Sequence, residues 1–147
     1  MNKAVIKRII DWNKARYIQK YDQALTEALL TEEVGELLDA ITEVDMLDAL
    51  VDIYYVSVGA LWKLGTHPDF ILQSEVQIPL DQLPSILENI KTDYTKYGAY
   101  PFLNLLGVIA TVTDGMRQML KTDERIAEAI LIVCDSNDSK VIARTRS

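Results

Sequence analysis

The sequence predicts an all-α protein folded as a helical bundle. Apolar residues recur at the three- and four-residue spacing of amphipathic helices, and glycine or proline separates the helical segments. Two neighbouring segments also carry acidic residues on faces that should otherwise be buried. The 147 residues suffice for one domain with its own core, so we expect a single domain over 1–147.

The composition excludes several classes of function. A formal net charge of −7, with no basic run longer than Lys7-Arg8, argues against binding to a nucleic-acid backbone. The apolar residues near the start are interrupted by charges, and 51–64 is too short to span a membrane. The single cysteine, Cys134, cannot form an internal disulfide, which fits a reducing compartment. We therefore expect a cytoplasmic protein that binds neither nucleic acid nor membrane.

The first helix is predicted over 3–20, where isoleucine, valine and tryptophan recur at helical spacing. Four of its side chains suit a pocket for a nucleobase, since aromatic faces stack on bases and amides hydrogen-bond to their edges: Trp12, Asn13, Arg16 and Tyr17. The alternative for each is an aromatic core with a solvated basic face.

The second helix is predicted over about 23–43 and the third over about 45–64, with a break at Glu43-Val44 and Asp22 as the N-cap of the second. Glu33 and Glu36 lie one turn apart on the second helix. A stripe on the third helix starts with acids and continues with core residues: Asp45, Asp48, Asp52, Tyr55, Gly59 and Trp62.

These acids require a cation, because unpaired carboxylates near a core raise their pKa values or destabilise the helix. No lysine or arginine occurs between Lys20 and Lys63. A short connection favours an antiparallel hairpin, in which Glu33 and Glu36 face Asp48 and Asp52. Oxygen ligands suit Mg²⁺, with Mn²⁺ as a substitute, and Mg²⁺ shares its ligand positions with water and phosphate oxygens. The sequence thus predicts nucleotide chemistry.

The second half of the chain is less informative. We expect an irregular insertion over 66–100 containing one short helix, from Pro84 to about Tyr97. The segment 102–120 is so apolar that it should be buried in the core or against a second subunit, and we expect a symmetric homo-oligomer. A last helix is predicted from 124 to about 135, with Cys134 as a buried structural thiol, followed by a polar tail over 136–147.

The acidic stretch resembles the MazG-like all-α NTP pyrophosphatase superfamily, whose signature is EExxE followed by ExxD on the next helix. The first half is present as Glu32-Glu33-Val34-Gly35-Glu36, and the second departs from the pattern. Asp52 matches the final Asp, but Ala49 stands where Glu is usual, and the run Asp48-Ala-Leu-Val-Asp52 resembles phage-type members. The resemblance implies metal ligands at Glu33, Glu36, Asp48 and Asp52.

A second, looser resemblance is the Asn-x-x-Lys element at Asn137 and Lys140, which implies that both contact the nucleotide. Tyr55, on the acidic stripe, is a further candidate for substrate binding. The resemblance implies a homodimer or homotetramer, located in the host cytoplasm if the chain is phage-encoded.

The function implied is Mg²⁺-dependent hydrolysis of a nucleoside triphosphate, with a deoxynucleotide favoured, between the α and β phosphates. Glu32 or Glu36 is the candidate general base. Two alternatives stay open: a dUTP or dCTP hydrolase of the dimeric dUTPase type, and a non-catalytic helical module whose acidic stripe binds a basic partner.

Overall fold

The structure, a computed structural model, describes residues 3–16, 20–72 and 77–146, without the side chains of 72 and 140–146. These residues form seven α-helices and no strand, which confirms the all-α prediction. A 3-10 turn at Leu80–Gln82 precedes the fifth helix. The helices are α1 Lys3–Ala15, α2 Gln23–Asp39, α3 Glu43–Lys63, α4 Pro68–Leu72, α5 Leu83–Tyr97, α6 Phe102–Leu120 and α7 Asp123–Arg146.

The central element of the bundle is α3, which packs against α1, α2, α6 and α7. Most of its side chains after Asp48 are buried, including Tyr54, Val58 and Leu61. The most extensive partner of α3 is α6, whose apolar sequence predicts the burial observed at Leu105, Ile109, Val112 and Met116. No helix among the described residues is long and apolar enough to cross a membrane.

The α2–α3 hairpin differs from the prediction in the position of its turn. The break falls at 40–42 rather than at Glu43-Val44, because Thr42 serves as the N-cap of α3 and its hydroxyl accepts a hydrogen bond from the Asp45 amide at 3.1 Å. Glu43 then lies in the first turn, where the helix dipole favours an acid. The predicted cap of α2 is confirmed, since the Asp22 carboxylate accepts from the Leu25 amide at 3.0 Å.

The segment 66–100 is more regular than the predicted insertion, since α4, the 3-10 turn and α5 occupy much of it. Gly65 and Gly98, with φ of 87° and 62°, end α3 and α5 in the left-handed conformation that glycine tolerates. The prediction for α1 was too long, because this helix ends at Ala15, and 17–19 lie outside the described residues.

The last helix extends well past its predicted end at about 135. Because no glycine or proline follows Asp123, nothing in the sequence interrupts α7, and its backbone is helical to Arg146. Its first half packs into the core through Ile126, Ile130 and Cys134, and the thiol is buried as predicted. Part of the predicted polar tail is thus a continuation of the helix.

Candidate active site

Three carboxylates converge where α2 and α3 pack side by side. Glu33 and Glu36 come from adjacent turns of α2, and Asp52 comes from α3. Each offers an oxygen, and these oxygens all lie within 4.8 Å of one another. We call these three residues the acid group. The hairpin has therefore brought together three of the four predicted metal ligands.

The electrostatics of the acid group are unfavourable without a cation. Desolvation, with repulsion from Asp52 and Glu36, raises the pKa of Glu33 to about 8. Glu33 Oε2 is buried and forms no hydrogen bond within the described structure. Neither Glu33 nor Glu36 forms a salt bridge with a described residue. Crowded carboxylate oxygens, one of them buried without a partner, fit a hard divalent cation.

The remaining acids of the predicted site are placed differently. Glu32, the candidate base, is exposed on α2, although its charge helps to raise the pKa of Glu33. Asp48 and Asp45 are exposed on α3 and do not belong to the acid group. Ala49, which stands at the usual Glu position, is buried.

A cleft of about 310 Å³ extends from the acid group between α2 and α3, within the range of small-molecule sites. Glu33 and Asp52 line one end. The walls contain four of the seven predicted substrate-binding residues: Trp12 and Asn13 from α1, Tyr55 from α3 and Asn137 from α7. The side chain of Lys140 lies outside the described residues, as does Tyr17.

Aromatic and amide groups shape the middle of the cleft. Trp12 meets Tyr55 edge-on, with ring centroids 5.4 Å apart. Arg16 is the remaining predicted residue. Its guanidinium stacks 3.5 Å from the centroid of the Trp12 ring and donates to the Trp12 carbonyl, so it covers the indole instead of lining the cleft. Burial raises the pKa of the Tyr55 hydroxyl, and the adjacent Asn137 side chain partly offsets this shift.

Gly59 is the point where α1 approaches α3 most tightly along the cleft. A Cβ at this position would lie 2.9 Å from Asn13 Nδ2, so only glycine leaves room for the amide. The buried Asn13 donates from Nδ2 to the Ile9 carbonyl at 2.9 Å, which fixes its orientation.

Two charged residues of the cleft were not predicted as site residues from the sequence. Asp22 and Lys63 line the end opposite the acid group. The predicted stripe continued through Trp62, which instead packs partly buried against the core, whereas Lys63 follows Gly59 by four residues and shares its face. The i, i+4 spacing between Gly59 and Lys63 was the signal that could have placed Lys63 on the face of α3 that lines the cleft.

A comparison with known protein families gives a match over the first half of the chain. The model of the family described as phosphoribosyl-ATP pyrophosphohydrolase matches residues 3–76, which is half of the sequence and includes the whole acid group. The chain belongs to the phosphoribosyl-ATP pyrophosphohydrolase family. No curated protein and no solved structure matches the chain significantly.

Membership of the phosphoribosyl-ATP pyrophosphohydrolase family confirms the predicted MazG-like superfamily. It supports a hydrolase that acts as a nucleotide pyrophosphohydrolase. The match covers α1 to α4, hence both helices of the acid group and the α1 wall of the cleft. Helices α5 to α7 lie beyond the matched residues, and α7 contributes Asn137 to the cleft.

Proposed function

We propose that the protein hydrolyses a nucleoside triphosphate, with a deoxynucleotide favoured, between the α and β phosphates to give the monophosphate and pyrophosphate. The observation that carries this proposal is the acid group at one end of a cleft with aromatic and amide walls. Phosphates belong at the acid end, and the base belongs against Trp12 and Tyr55.

Each side chain has a role that follows from its position. Glu33, Glu36 and Asp52 would hold the divalent cation, with Asp48 reaching it from the exposed side of α3. A Mg²⁺ or Mn²⁺ ion there supplies positive charge against the phosphate oxygens. Glu36, exposed at the mouth, or the neighbouring Glu32 orients the attacking water and accepts its proton.

Two residues of α7 would complete the contacts to the nucleotide, and one residue directly after α1 would support them. Asn137 offers an amide beside Tyr55, and Lys140 lies three residues later on α7, about one turn further. Lys140 would place positive charge near the leaving pyrophosphate. Arg16 holds the Trp12 indole in place through its stacking contact.

A pyrophosphate-release assay tests the proposal. We expect release from at least one nucleotide of a complete NTP and dNTP panel, dependent on Mg²⁺ or Mn²⁺ and abolished by EDTA. Selective turnover of dUTP or dCTP would identify the alternative substrate class, the dimeric dUTPase type. No turnover with any nucleotide and either metal would favour the other alternative, a non-catalytic acidic module.

We further propose that the protein works as a homodimer or homotetramer. The tip of the α2–α3 hairpin exposes Leu38, Ile41 and Val44, each by more than two-thirds, beside the acid group. Exposed apolar clusters of this kind favour a protein partner, and a second copy in symmetric contact is the simplest one. Light scattering should give a multiple of 16.6 kDa at micromolar concentration. A monomer would rule the assembly out.

A further inference from the structure

The cleft has two chemically different ends at matched distances along its two walls. On α2, Glu33 lies eleven residues after Asp22, and on α3, Lys63 lies eleven residues after Asp52. Eleven residues make about three turns of helix, so the members of each pair share a face and lie about 16 Å apart along the axis. The antiparallel packing therefore sets Asp22 and Lys63 together, opposite the acid group.

The side chain of Lys63 is half-buried in this cleft. It forms no salt bridge with any residue that the structure describes. Burial lowers the pKa of Lys63, and the charge of Asp22 works in the opposite direction. A half-buried ammonium is costly unless an acceptor meets it, and the acceptor can come from a ligand.

The groups between the two ends define where a nucleobase would lie. Trp12 and Tyr55 provide aromatic surface nearer the acid group, and Asn13 lies over Gly59, one turn before Lys63. A nucleotide whose phosphates lie at the acid group thus directs the outer edge of its base towards Asp22 and Lys63.

We propose that Lys63 determines base specificity by donating a hydrogen bond to the carbonyl oxygen of a keto base: uracil, thymine or guanine. Lysine has donors only, so it favours a carbonyl over the amino group that cytosine and adenine carry at the same position. The neighbouring ring N–H of a keto base can donate to the Asp22 carboxylate, which binds the Leu25 amide through only one of its oxygens. This inference rests on the proposed nucleotide hydrolysis and adds its substrate class.

The first experiment compares Lys63→Met with Lys96→Met. Both lysines occupy the last turn of a helix, but Lys96 is exposed on α5 and remote from the cleft, so it controls for loss of a charge at a helix end. For Lys63→Met we expect KM for dUTP, dTTP and dGTP to rise roughly 10- to 100-fold, the loss of one charge-assisted hydrogen bond. KM for dCTP and dATP, and kcat for all five, should change little.

One further variant completes this test. Lys63→Arg keeps a hydrogen-bond donor and should retain most of the preference for keto bases. A purely structural role of Lys63 would predict no such dependence on the base. Lys96→Met should match the wild type. Equal changes in KM for keto and amino substrates, or no change in KM with Lys63→Met, would overturn the assignment while leaving the hydrolase function intact.

The second experiment does not depend on turnover. With Trp62→Phe, Trp12 becomes the only tryptophan, and its fluorescence reports on a base in the cleft. We expect metal-free uridine and guanosine to quench it at lower concentration than cytidine and adenosine, and Lys63→Met to abolish the difference. If the protein hydrolysed no nucleotide yet bound uridine and guanosine more tightly through Lys63, the proposed hydrolysis would be wrong and the recognition of keto bases by Lys63 would stand. Equal quenching by all four nucleosides would overturn base reading.

Discussion

The two ends of the cleft differ in how their charges are arranged. At the acid group, three carboxylates crowd within 4.8 Å, and their repulsion and burial raise the pKa of Glu33 to about 8. At the other end, one half-buried lysine faces one carboxylate. Because crowded like charges repel one another, the acid group favours a multivalent cation. The pair Asp22 and Lys63 instead suits the neutral edge of a base, which offers one acceptor and one donor. In our proposals the acid group is therefore the catalytic end of the cleft, and Asp22 with Lys63 forms the end that recognises the base, called the reading end below.

The largest effect should follow removal of charge from the acid group. Glu36→Gln and Asp52→Asn keep the side-chain shape, so helix content should not change. We expect turnover to fall by at least about 100-fold, because residues that merely orient a metal ligand typically contribute about 10- to 100-fold. Base preference in the fluorescence assay should survive. Near-native turnover of either variant at saturating Mg²⁺ would remove that residue from the ligand set.

A smaller effect is expected at the exposed edge of the acid end. Asp48→Ala should lower turnover by about tenfold and raise the Mg²⁺ concentration required, because Asp48 precedes Asp52 by four residues and can reach the same cation directly or through water. Asp45→Ala, about one turn further away, is the matched control and should have little effect. Equal losses would mean a broader metal site. Recovery of activity by Ala49→Glu in the Asp48→Ala background would show that the two motif patterns are interchangeable.

The middle of the cleft can be narrowed without touching either end. Gly59→Ala places a methyl group 2.9 Å from the present position of Asn13 Nδ2, so the amide must move and its bond to the Ile9 carbonyl must weaken. We expect a loss of about 1 kcal/mol in unfolding free energy and a several-fold rise in KM with kcat retained. Alanine is about 1 kcal/mol more favourable than glycine inside a helix, so a loss of unfolding free energy in Gly59→Ala must come from the displaced Asn13 amide. An unchanged KM would show that Asn13 does not contact substrate.

The smallest effect concerns stability without metal. The folded-state pKa of Glu33, about 8, lies above its ordinary value of 4.5, so between these values the folded protein retains a proton that the unfolded chain loses. In EDTA, the melting temperature should therefore fall as pH rises across this window. Glu33→Gln should reduce the slope, and saturating Mg²⁺ should raise stability most at the alkaline end. If the melting temperature instead rose with pH in both the wild type and Glu33→Gln, the raised pKa of Glu33 would be contradicted.

Sequence reasoning predicted the acid group well because its signal is local. EExxE and the acids of α3 fall on helical faces that spacing alone determines, and the absence of nearby basic residues predicted the crowding. The exact turn of the hairpin was missed because the break was placed at Glu43-Val44 and the capping role of Thr42 was not recognised. Asp48 and Ala49 show the limit of spacing, since a 100° step decides which faces the core.

The reading end was harder to predict because no motif marks it. Asp22 was recognised only as a helix cap, and Lys63 has meaning only once α2 and α3 are known to run antiparallel over three turns. The course of α7 was also missed, because polar composition was taken as evidence of a tail although nothing in the segment stops a helix. These features depend on tertiary packing rather than on local pattern.

The attachment of α7 to α1 makes one wall of the cleft sensitive to ionic strength. Asn137 lies beyond the last buried residue described on α7, Cys134, and its flanking residues Asp135 and Asp138 are joined to Arg8 at 2.9 and 3.2 Å. These ion pairs are exposed, so added salt screens them, while the apolar contacts of the first half of α7 persist. Salt should thus loosen the amide wall before it loosens the fold.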